Sequence, residues 1–122
     1  MKEIILLLAL FFSLTNCSNS DESNLVCVSF DTRQCMGDDW SETVDINGSE
    51  TTQAEQLKAY YAAQDIELVD VKADLTFHEI VCEACFVCPQ NPRFTVKALP
   101  AEIEKLRALE LLNFSNGDCS DF

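Results

Sequence analysis

Seven cysteines in a chain of 122 residues set the tightest limit on how it can fold. They stand at Cys17, Cys27, Cys35, Cys82, Cys85, Cys88 and Cys119, and three are crowded into "CEACFVCP". Whether they are cross-linked or bind metal decides which segments must be neighbours. That choice depends on whether the chain meets an oxidising compartment. The N-terminus therefore has to be read first.

The chain opens "MKEIILLLALFFSLTNCSNSDESN". Lys2 precedes an apolar run, Ile4 to Leu14, interrupted only by Ser13. That run falls well short of the roughly twenty residues a transmembrane helix needs, and it fits the hydrophobic region of a secretory signal. "LTNC", Leu14 to Cys17, resembles the lipobox of bacterial lipoproteins. The resemblance implies cleavage before Cys17, lipidation of its thiol and acylation of the new amine. Residues 1–16 are then a signal peptide and 17–24 a lipidated cysteine with a flexible polar tether. Residues 25–122 form a single domain.

Two or more acyl chains give stable attachment, so the membrane is the first expected partner. The lipid on Cys17 is covalent, and no dissociable cofactor is expected. The Ser20-Asp21-Glu22 core of the tether is similar to the acidic signals that send some Gram-negative lipoproteins to the outer cell surface. The expected location is the bacterial envelope, at the outer membrane and exposed at the surface.

The net charge of −13 survives processing, because Lys2 and Glu3 leave together. With no basic patch to release counterions, nucleic acid is excluded as a ligand. An acidic surface favours a basic protein as partner.

Assigning Cys17 to the lipid leaves six cysteines that can all pair. The reading we adopt is a disulfide framework in which Cys82, Cys85 and Cys88 reach outward to Cys27, Cys35 and Cys119. One CxxC bonded to itself is the alternative pairing. A zinc site would use Cys82, Cys85 and Cys88 with His78 or Cys119 as fourth ligand, but it lacks a second separated CxxC knuckle. A redox pair is disfavoured by Glu79 and Glu83, which raise thiol pKa values. His78, the only histidine, has no nucleophile elbow beside it. The pattern points to a binding or accessory module rather than an enzyme.

Periodicity predicts an α+β domain, with a small antiparallel sheet carrying two helices on one face. Strands are expected over Leu25–Phe30, 66–71 and 75–81, with Lys72–Asp74 as the turn between the latter two. Another is expected in "RFTVKAL", and a short one around Thr43–Ile46. Thr52 and Glu55 predict a capping box for a helix whose inner face is Ala54, Leu57, Tyr60 and Tyr61. Pro100 starts a second helix with Ile103, Leu106 and Leu109 as its buried stripe. Trp40 is expected to cap the core.

Overall fold

Strict alternation in one strand organises the domain. In the computed structural model, which describes residues 24–33, 38–79, 88–109 and 114–122, strand β3 (Pro89–Ala98) buries Phe94, Val96 and Ala98. Arg93, Thr95 and Lys97 point to the other side and are partly exposed. A strand's period of two puts these sets on opposite faces. Strand β1 (Val26–Arg33) pairs with β3 antiparallel, setting Val28 against Val96 and Phe30 against Phe94. Strand β2 (Asp70–Asp74) pairs on the other side, with Val71 opposite Val96 and Ala73 opposite Phe94. The two-residue β4 (Ser115–Asn116) closes the free side of β1, giving the order β2-β3-β1-β4.

Both helices cover the apolar face. Leu57 and Tyr61 of α1 (Glu50–Ala63) and Ile103 and Leu106 of α2 (Pro100–Leu109) join the strand residues in one core. The fold is thus the expected α+β arrangement, stabilised by a disulfide between Cys27 and Cys119. Trp40 does more than cap this core. It is fully buried, with its ring edge-on to Phe94 at 5.3 Å between centroids.

Helix α1 begins earlier than its sequence suggests. Ser49 is the N-cap, its hydroxyl accepting from the Thr52 backbone N–H at 3.2 Å, so the cap lies one turn ahead of the Thr52–Glu55 pair. Serine fits because its short side chain can fold back onto an otherwise unpaired helical N–H. At the other end Ile66 N–H donates to Tyr61 C=O and Asp65 N–H to Ala62 C=O. This is a Schellman closure, with Asp65 left-handed at φ 62° in the place glycine usually takes.

Five local expectations are corrected. Residues 66–68 are not a strand, although Ile66 and Leu68 are buried; they drop into the core from a chain leaving the helix. Lys72–Asp74, expected as a turn, lies within β2, and 75–79 bends away instead of forming the next strand. Residues 43–46 form turns around Trp40, with Thr43 and Val44 N–H both donating to Trp40 C=O. Leu109, the last described residue of α2, is half exposed and leaves the stripe to Ile103 and Leu106.

Candidate functional site

The second face of the sheet carries the chemistry. Register places three polar rows across it: Asp70–Lys97–Cys27, Lys72–Thr95–Ser29 and Asp74–Arg93–Asp31. In the middle row the Ser29 and Thr95 hydroxyls bond to each other at 2.8 Å. In the last row Arg93 Nη1 donates to both Asp31 oxygens, at 3.1 and 3.2 Å, while Nη2 donates to Ser115 Oγ at 2.6 Å.

A bulge supplies the second partner of Asp31. Asp31 faces Arg93 but Thr32 faces Gln90, so Asn91 and Pro92 are extra residues in β3. Bulges re-aim side chains and accept proline. The Asn91 side chain here turns to the 75–79 segment, accepting from His78 N–H at 2.9 Å and donating to His78 C=O at 3.0 Å. It acts as a short surrogate strand. His78 is thereby held with Nε2 2.8 Å from Asp31 Oδ1, and Phe77 lies over the Arg93 guanidinium at 4.3 Å. A cleft of about 200 Å³ opens beside these groups, with Lys72, Asp74, Phe77, Arg93, Asn116 and Asp118 among its walls. Ser120 donates its hydroxyl and backbone N–H to Asp118, holding that carboxyl below its ordinary value.

The tail reaches this face through β4. Gly117 N–H donates to Cys27 C=O at 3.0 Å. A Cβ at Gly117 would lie 3.0 Å from Ser29 Oγ, Thr95 Cγ2 and the Val28 carbonyl carbon, so a side chain there would push the tail off the sheet. That close approach sets Cys119 beside Cys27, with Cα atoms 5.5 Å apart across 92 residues of sequence.

This pairing overturns the expected wiring, in which Cys27 and Cys119 were both targets of the 82–88 run. They satisfy each other, because β4 and β1 are neighbours at the end of the sheet where β1 begins. Cys88 is buried and also disulfide-bonded, beside Pro89, which pairs with Arg33 at the opposite end. Cys17, Cys35, Cys82 and Cys85 lie outside the described residues. A sulfur in a disulfide is not a thiolate donor, so Cys88 and Cys119 contribute nothing to the zinc set considered above. Among the described residues no group of three or more potential metal ligands converges.

His78 is not in a strand beside Glu79 as expected; it sits in a bend, its ring tied to Asp31. Asp31, Asn91 and Arg93 did not stand out in the sequence. The one available signal was the alternation of polar with apolar residues, Asp70, Lys72 and Asp74 in one strand and Arg93, Thr95 and Lys97 in another.

Compared with protein-family models, with curated proteins and with solved structures, the chain matches none. Function must therefore come from the site itself. Its hydroxyls, carboxylate, guanidinium and imidazole are each engaged with another side chain of the same face. Such an arrangement fixes a pattern of charge in space, which suits recognition. Nucleophilic catalysis asks instead for a hydroxyl or thiol activated by a base.

Proposed function

We propose that the chain is a lipoprotein of the bacterial envelope, held at the outer membrane through lipid on Cys17. Its domain acts as a binding or accessory module for a basic protein partner. The observation that carries the binding role is the pre-set polar sheet face, on which Asp31, Arg93 and His78 are locked together before any partner arrives. Preorganised side chains cost less entropy on association. The acidic surface, at a net charge of −13, would speed encounter with a cationic partner.

Two measurements test this. Replacing Cys17 by Ser should move the protein from the membrane to the soluble fraction and remove the acyl mass from the N-terminal peptide. Unchanged partitioning defeats the anchor. A photo-crosslinking residue at Lys72, on the polar face, should give a discrete adduct with a basic protein, weakened by salt. The same label at Lys105, on the far side of the domain, should not. Equal labelling from both positions defeats the assignment of the face.

A further inference from the structure

The sheet has two unlike ends, and the chain enters from the tether at only one of them. At that end β1 begins with Val26, which pairs with Ala98, and Leu99 follows directly. Val69 N–H donates to Lys97 C=O, and the Phe122 ring lies 5.7 Å from Lys97 Nζ. Val26, Val69, Leu99 and Phe122 thus surround one rim of the domain. All four are exposed, at 40, 48, 42 and 39%.

We infer that this rim is a membrane-facing surface that rests on the lipid to which Cys17 is attached. The inference builds on the proposed lipidation. Eight residues, Ser18 to Leu25, separate Cys17 from Val26. On the reading of this polar stretch as a tether, a coil of that length has a root-mean-square span of roughly 14–17 Å and reaches at most about 28 Å. The rim therefore stays within one domain diameter of the headgroups at all times. A contact too weak to hold a free protein suffices under that effective concentration. Four half-exposed apolar side chains match the shallow burial typical of interfacial contacts. Lys97 beside Phe122, and Lys58, whose ammonium donates to Val69 C=O at 2.8 Å, stand among them as cations able to reach lipid phosphates. Asp70 faces Lys97 across the strands, which favours a zwitterionic over a strongly anionic surface.

The other end points away. There β1 finishes at Arg33, the last of its eight residues and seven steps of about 3.3 Å from Val26. Asp31, Arg93 and His78 belong to that half, which leaves the polar face open to a partner.

The processed lipoprotein, reconstituted in vesicles of phosphatidylcholine brominated along its acyl chains, tests this with added indoles. Trp40 is fully buried and gives a constant background. The emission added by Leu99→Trp, and by Phe122→Trp as a second probe, should fall by roughly half or more, as expected for a group entering the acyl boundary. The emission added by Ile46→Trp, exposed just ahead of α1, whose first residue Glu50 accepts from Leu75 N–H beyond the far end of β2, should be unchanged. Flotation and the acyl mass on Cys17 are recorded on the same samples. If the protein floats and carries lipid while Leu99→Trp and Phe122→Trp are quenched no more than Ile46→Trp, the rim is not membrane-facing and the anchor stands. Protein that neither floats nor carries the acyl mass overturns both.

Discussion

Nε2 of His78 lies 2.8 Å from Oδ1 of Asp31, a residue 47 positions earlier that also accepts from Arg93. The contact ties the bend after β2 to the centre of the sheet. All three side chains are about four-fifths buried, so removing the shared acceptor leaves two donors poorly hydrated. Asp31→Ala should cost about 1–3 kcal/mol in urea unfolding, and His78→Ala about 0.5–1.5 kcal/mol. Equal and negligible losses would show that the network is ornamental.

The Cys27–Cys119 bond closes nearly the whole domain, and loop closure restricts the unfolded chain most when the loop is long. The double change Cys27→Ser with Cys119→Ser should lower stability by about 2–5 kcal/mol. A peptide map without reductant should recover these two cysteines in one cross-linked fragment. If the four others besides Cys17 also pair, three connectivities remain. Each joins two cysteines of the 82–88 run to each other and the third to Cys35. A fragment linking that run to Cys27 or Cys119 would contradict the structure.

Asp65 occupies the left-handed position that ends α1. A Cβ is disfavoured there by about 1–2 kcal/mol, less for Asp than for most residues. Asp65→Gly should raise stability by about 0.5–1 kcal/mol and leave helix content unchanged by circular dichroism. The Schellman hydrogen bonds are backbone only and survive the change.

Helix α2 separates buried from exposed leucines. Leu106 is fully buried and Leu109 half exposed. Leu106→Ala should cost about 2–5 kcal/mol, whereas Leu109→Ala should fall within about 0.5 kcal/mol of zero. Thermal melts of the two variants check the contrast.

Glu102 accepts from the Lys105 ammonium at 2.8 Å and from the Glu67 backbone N–H at 2.9 Å, and these bonds hold its carboxyl below the ordinary value of 4.5. A carboxylate with a lowered folded pKa stabilises the fold fully above its unfolded pKa. The contribution fades as pH falls through the lowered value. Glu102→Gln should therefore be less stable than the parent at neutral pH, and the gap should close in acid. Urea midpoints across the acid range measure it. A gap that widens as pH falls would refute the sign.

The sequence by itself determined the binary pattern. Phe94, Val96 and Ala98 had to face one way, Leu57 with Tyr61 and Ile103 with Leu106 had to line helices, and these sets can be buried only against each other. Burial of apolar area is roughly additive along the chain, so it is legible locally. Edges were less so. The cap moved to Ser49 because Thr52 and Ser49 are both good caps and only the docked helix chooses. Lys72–Asp74 read as a turn because a five-residue strand with a charged outer row resembles one. Tertiary structure alone decided which cysteine meets which and which polar groups form the site. Cys27 and Cys119 are 92 residues apart, and no local preference encodes that distance. Sheet order and the clearance at Gly117 brought them together. Asp31, Arg93 and His78 likewise became one unit only through strand register and a two-residue bulge, because hydrogen bonds demand positions that a pattern of polarity does not specify.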